Sequence, residues 1–482
     1  MFVRPARSLT IAVAVIAFCF MVSIFEGGLH SYSRNRLSII TAPVHEAPPP
    51  PSRIVDFWAK WATVMDKAKP KIPPIKLNRP ASVEGSDKAT GERAPMQESL
   101  GLPEDDWKLL HESHSTLVNA PGFNETNEQA SSLFSGAGVV TVAGGPYLPP
   151  AILGIRMLRK TGSNLPVQVF LQSREEYEPE ICESVLPALN AECFVIQDHL
   201  RKDAPFKVAR FQLKVLAILF STFETVLYMD SDCMALRNPA ELLESEPFLS
   251  SGFLSWGDYW KATEDPVFYK IAGMSDFPKG LPAKSSESGQ MVISKKKHLN
   301  TLLLAAYYNV FGPDYYYPLQ SQGAMGQGDK ESFLAAAVVL GNPYYRVKET
   351  LGTLGYSDAK GEFHGGAMVQ WSAAEEYASA NTSDKTKPRP FFLHANLPKL
   401  NVARMLDEKK IYQPGTETRI RMWGPEESTR KIFGSDIERM AWNEMRDMAC
   451  ELNDTMKDFK GRTNICQRAQ EHYKQLFETE TG

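Results

Sequence analysis

Thr225-Val-Leu-Tyr-Met-Asp230-Ser-Asp232-Cys-Met-Ala-Leu-Arg237 is the stretch on which the fold turns. Val226 to Met229 is an uncharged run of strand formers, as in a strand buried within a mostly parallel sheet, and it stops at two carboxylates one residue apart. In open α/β sheets ligands bind beyond the carboxyl ends of the strands, where side chains are reachable but the backbone is rigid. Two carboxylates flanking a small serine there can reach one hard cation from the same side, and such a cation holds phosphates. Asp-x-Asp alone is also a common strand-ending turn, so the flanks matter. A helix-like stretch, Phe211 to Phe220, precedes the strand, and Asn238-Pro239 closes the turn after it.

Upstream, Gly138-Val-Val-Thr-Val-Ala runs into Gly144-Gly145. Apolar residues at helical spacing follow from Leu148 to Leu158, then a strand, Val167 to Leu171, which together open a βαβ unit. A third strand is expected at Cys193 to Ile196. The glycine pair fits neither a dinucleotide fingerprint nor a phosphate-cradling P-loop, so phosphate binding falls to a metal. Downstream, Ser250 to Trp256 reads as a strand ending in an aromatic loop, Trp256-Gly-Asp258-Tyr-Trp260. Trp256 could stack on a sugar and Asp258 accept its hydroxyls, with ordinary packing as the alternative. Glu287 and Gln290, just before the strand Met291 to Ser294, are also substrate candidates. Asp329 follows Gly326-Gln-Gly328 at the start of a helix running to Leu340, which leaves it open as an acidic cap or a ligand contact. Phe391-Phe-Leu-His394 repeats the pattern of a strand delivering a polar residue, and His394 is the candidate third metal ligand, since imidazole suits manganese better than magnesium or calcium.

The 482 residues fit one large α/β catalytic domain with flanking segments. A net charge of -4 without a basic block argues against nucleic-acid binding. Residues 1–7 read as a cytoplasmic tail and the uncharged 8–25 as a transmembrane signal anchor, with the rest lumenal; a cleaved signal peptide is the competitor. Residues 26–130 read as a Pro-rich, polar stem, with a short helix near Val55 to Lys67. The catalytic domain is set at 131–433, and 434–482 as a charged helical tail. None of the six cysteines forms a C-x-x-C pair, so a structural zinc site is not expected. Cys450 with Cys466 is the first disulfide expectation and Cys182 with Cys193 the second. Asn124, Asn381 and Asn453 begin glycosylation sequons.

Residues 136–399 resemble the fungal Golgi α-mannosyltransferases that extend N-glycan outer chains and other mannans. The resemblance rests on Val140-Thr-Val-Ala-Gly-Gly-Pro-Tyr-Leu, Ile155-Arg-Met-Leu-Arg-Lys-Thr-Gly-Ser-Asn-Leu-Pro, Phe211-Gln-Leu-Lys-Val-Leu-Ala, Asp230-Ser-Asp232, Gly328-Asp-Lys-Glu331 and His394-Ala-Asn-Leu. It departs from the family at Trp256-Gly-Asp, where Trp-Pro-Asp is expected, and at Gly326-Gln-Gly, where an acidic residue is expected between the glycines. The resemblance implies a GT-A-type fold with a mixed, mostly parallel sheet, a GDP-mannose donor, Mn2+, and transfer with retention to a mannose hydroxyl of a glycan, α-1,2 favoured. It also implies type II Golgi membrane topology and leaves room for Golgi mannosyltransferase complexes. On these residues it gives Asp230, Asp232 and His394 to Mn2+, Lys214 to the donor phosphates and Gly144 and Gly145 to the guanosine pocket. Asp329 and Asp232 take the catalytic roles. A metal-dependent transferase using a UDP-sugar and a non-catalytic subunit of a Golgi glycosylation complex stay open as alternatives.

Overall fold

The computed structural model describes residues 49–96, 100–200, 204–380, 382 and 386–478. The anchor expected at 8–25 lies outside these residues, and among the described residues no helix is long and apolar enough to cross a membrane.

Seven strands form the main sheet in the order β3-β2-β1-β4-β7-β6-β8, with β1 at Ala137–Val142, β2 at Val167–Leu171, β3 at Ala191–Val195, β4 at Thr225–Met229, β6 at Phe253–Lys261, β7 at Lys284–Ser294 and β8 at Tyr345–Arg346. β4 runs parallel to β1 and antiparallel to β7, which makes the sheet mixed but mostly parallel, the GT-A-type arrangement implied above. The central strand is uncharged because both of its faces are covered. Val226 and Tyr228 enter one core, and Leu227 and Met229 the other.

A tight turn, with the Cys233 amide donating to the Asp230 carbonyl at 2.9 Å, takes the chain out of this sheet. Cys233–Ala235, β5, then opens a second sheet of order β5-β11-β10-β9, completed by β9 at Gly352–Ser357, β10 at Phe363–Trp371 and β11 at Pro390–His394. The carboxylate pair is therefore the corner between two sheets.

Each flank covers one face. The helices Ser52–Lys67, Glu104–Val118 and Thr126–Leu133 bring Trp58, Trp61, Leu110, Leu117 and Ala130 into one core. This corrects the stem reading of 26–130: from the first of these helices onward the chain packs on the sheet, because apolar side chains recur on one face of otherwise polar helices. Trp61 is fully buried, and its loss to alanine would cost about 3–5 kcal/mol. The polar stretch after it is also bound, with the Arg93 amide donating to the Leu281 carbonyl at 2.6 Å. The expected tail is two helices, Ile437–Glu451 and Ile465–Phe477, which put Trp442, Met445 and Tyr473 into the other core. Cys450–Cys466 and Cys182–Cys193 are both disulfide bonded.

Candidate active site

Strand register assembles the site. β11 pairs antiparallel with β5 so that His394 lies opposite Cys233, and the Ala395 amide donates to the Asp232 carbonyl at 2.9 Å. His394 Nε2 thereby stands 3.3 Å from Asp232 Oδ1, although the two are 162 positions apart in sequence. On the other side β4 pairs with β7, and the Asp230 amide donates to the Gly289 carbonyl at 2.8 Å. Gly289 is glycine for a steric reason: a Cβ there would lie 2.5 Å from the His394 ring and 2.8 Å from Glu287 Oε1.

Asp230, Asp232 and His394 offer two carboxylate oxygens and an imidazole nitrogen within 4.8 Å of one another. That donor set fits a divalent cation. Glu287 Oε1 is 3.4 Å from His394 Nδ1, the place of a carboxylate that orients a metal-binding histidine, rather than the substrate contact expected for it. Burial opposes charge on His394, but Asp232 and Glu287 outweigh it and hold the imidazole well above its ordinary pKa. Burial likewise opposes ionisation of Glu287, yet His394 and the Gly289 amide lower its pKa to about 2. Asp232 is lowered in the same way by His394 and Lys399.

Lys214 is not free to meet a phosphate. Its ammonium donates to Asp230 Oδ2 at 3.2 Å, to the Ser288 carbonyl at 2.8 Å and to Ser288 Oγ at 2.9 Å. It also lies 3.3 Å from Asp329 Oδ2. Lys214 thus offsets two carboxylates that would otherwise repel. Burial raises the pKa of Asp329 while its pairing with Lys214 lowers it. Tyr228, two residues before Asp230 on the same strand face, donates its hydroxyl to Asp230 Oδ1 at 2.7 Å.

The sugar-binding expectations for Trp256 and Gln290 are overturned. The expected aromatic loop is part of β6, and Trp256 is fully buried, packed edge-on to Phe392 with its indole N–H donating to the Trp371 carbonyl at 2.9 Å. Gln290 is also fully buried, against Cys233 Sγ. Asp258 is taken up by Lys330 at 2.5 Å, Ser285 Oγ at 3.3 Å and the Tyr259 amide at 2.6 Å. Gly144 and Gly145 both have positive φ at the end of β1, beside the β4 terminus, and a Cβ on Gly144 would lie 2.4 Å from the Glu176 carboxylate. Sequence reasoning missed the roles of Tyr228, Ser288, Gly289 and Lys399. Only Tyr228 carried a local signal, its two-residue spacing from Asp230.

The family model described as "Mannosyltransferase putative" matches residues 136–372. "Alpha-1,2-mannosyltransferase MNN21" of Candida albicans is 34% identical over 455 residues, covering 80% of this chain and 68% of that protein. The chain belongs to this mannosyltransferase family. "Alpha-1,2-mannosyltransferase MNN5" of Saccharomyces cerevisiae is 30% identical, over 71% of this chain and 72% of its own. The mannosyltransferase family member described here thus spans about two thirds of the length of these relatives. The glycosyltransferase GlyE of Streptococcus pneumoniae aligns at 14% identity over 45% of each chain with a TM-score of 0.30, too loose a superposition to bear on the reading.

Proposed function

We propose that the chain transfers mannose from GDP-mannose to a mannose hydroxyl of a glycan, forming an α-1,2 linkage with retention, on the lumenal side of the Golgi membrane. The observation that carries this is the convergence of Asp230, Asp232 and His394 at the corner between the two sheets, in a chain of the mannosyltransferase family. These three residues would hold Mn2+, which when bound neutralises charge on the leaving diphosphate. Glu287 holds the His394 ring toward the carboxylates. Lys214 and Tyr228 fix Asp230, and Gly144 and Gly145, at the end of β1, are assigned to the border of the guanosine pocket. Asp329, whose carboxylate is held beside Asp230 by their shared partner Lys214, is assigned to the transferred sugar. The closed surroundings of Trp256 and Gln290 leave acceptor recognition to other residues.

The test is transfer by the purified chain from GDP-mannose, UDP-glucose or UDP-galactose to a panel of mannosides with Mn2+ present, followed by linkage analysis of the product. Mannose joined to a 2-hydroxyl is expected. Turnover of a UDP-sugar alone would move the chain to another donor class, and absence of any transfer would favour a non-catalytic role.

A further inference from the structure

Lys399 differs from Lys214 in how it is held. The Lys399 ammonium contacts Asp232 Oδ2, and its side chain is 45% exposed, whereas the Lys214 side chain is 9% exposed and bound at three points. Asp232 is itself 5% exposed, so Lys399 reaches it from the solvent side. The backbone around Lys399 is pinned on both flanks. The Leu397 amide donates to the Gly366 carbonyl at 3.1 Å, and Asn401 Nδ2 donates to the Pro146 carbonyl at 2.9 Å and to Asp458 Oδ2 at 2.8 Å. The side chain can therefore swing while its root stays in place.

We propose that Lys399 is an exchangeable counter-cation: it occupies Asp232 before a divalent cation binds, yields that oxygen to the cation, and then turns onto the diphosphate of the donor. This rests on the metal-site reading given above. Two cations on one buried carboxylate oxygen repel strongly at that range. A lysine displaced from Asp232 but still rooted beside it needs an anion, and diphosphate oxygens are the anion that a cation at Asp230 and Asp232 would bring. The ammonium is a compact charge on a flexible stem, suited to leaving one oxygen for another. No bond is made or broken in the exchange.

Calorimetry on the full chain tests this with Mn2+ alone and with GDP in the presence of Mn2+, comparing wild type, Lys399→Gln and Lys399→Arg. Lys399→Gln is expected to bind Mn2+ alone several-fold more tightly, because the competitor is gone. With Mn2+ present it should bind GDP about 10- to 100-fold more weakly, the loss of a charged hydrogen-bond donor. Lys399→Arg should restore most of the GDP affinity. If wild type binds Mn2+ and Asp232→Asn does not, but Lys399→Gln changes neither affinity, the exchange is refuted while the metal site stands. If Lys399→Gln weakens Mn2+ and GDP together and lowers the melting temperature, Lys399 is a structural partner of Asp232 and the proposal fails. If wild type binds no Mn2+, the metal-site reading fails and the exchange with it.

Discussion

Two clusters of buried charge share strand β7 and are built to opposite ends. Near the middle of that strand, Glu287, Ser288 and Gly289 face Asp230, Asp232, His394 and Lys214. One step earlier, Ser286 donates from its amide to Glu331 at 2.8 Å, and Arg346 donates to the Ser285 carbonyl at 2.7 Å. Glu331 and Glu264 in turn pair with Arg93. The second cluster is sealed, with the Arg93, Glu264 and Glu331 side chains exposed by 4%, 2% and 3%. The first is open at Asp230, 29% exposed, and at Lys399, 45% exposed. Buried carboxylates alone therefore do not mark a site. What marks it is a charge partner that solvent can reach and a ligand can replace.

The largest effect that sharpens this contrast is on stability. Arg93→Met leaves Glu264 and Glu331 buried without their cation, and urea unfolding should show a loss of about 3–5 kcal/mol. A loss below about 1 kcal/mol would mean that the second cluster is not sealed. A smaller effect is expected at the open cluster. Gly289→Ala forces the His394 ring and Glu287 apart, so Mn2+ should bind about 10- to 100-fold more weakly, as when a group supporting a metal ligand is lost. Unchanged Mn2+ affinity in a folded variant would remove His394 from the ligand set.

The smallest effect is in pH. The His394 imidazole is held well above its ordinary pKa, so it carries a proton at neutral pH that a cation must displace. Mn2+ affinity should therefore rise with pH, by at most about tenfold per unit for one proton released, and fall as pH drops. Calorimetry in buffers of different ionisation enthalpy would read that proton directly. An affinity flat with pH, with no proton released, would contradict the expectation.

The sequence showed the central strand and its carboxylates because an uncharged run ending in Asp-x-Asp is a local pattern, and His394 because it repeats that pattern. It did not show that Trp256 points into the core, since alternation along β6 does not say which neighbour closes over which face. Strands β9 and β10 were passed over because Gly352, Gly355, Gly365 and Gly366 erase the period-two signal. The misreading of the stem has a similar cause. Arg93 lies in a polar, proline-interrupted stretch whose burial depends on Glu264 and Leu281, 171 and 188 positions away. Lys214 was legible as a site residue but not its role, because the carboxylates it offsets come together only in the fold.

The central claim is that the carboxylate pair holds the cation that holds the nucleotide. Titration of GDP into wild type and Asp232→Asn, each with and without Mn2+, tests it most directly, because the amide keeps the side-chain size and removes one negative charge. Binding linkage requires Mn2+ to tighten GDP binding in wild type, by about tenfold or more, and to have little effect in the folded variant. Equal tightening in both proteins would place the metal elsewhere and contradict the account.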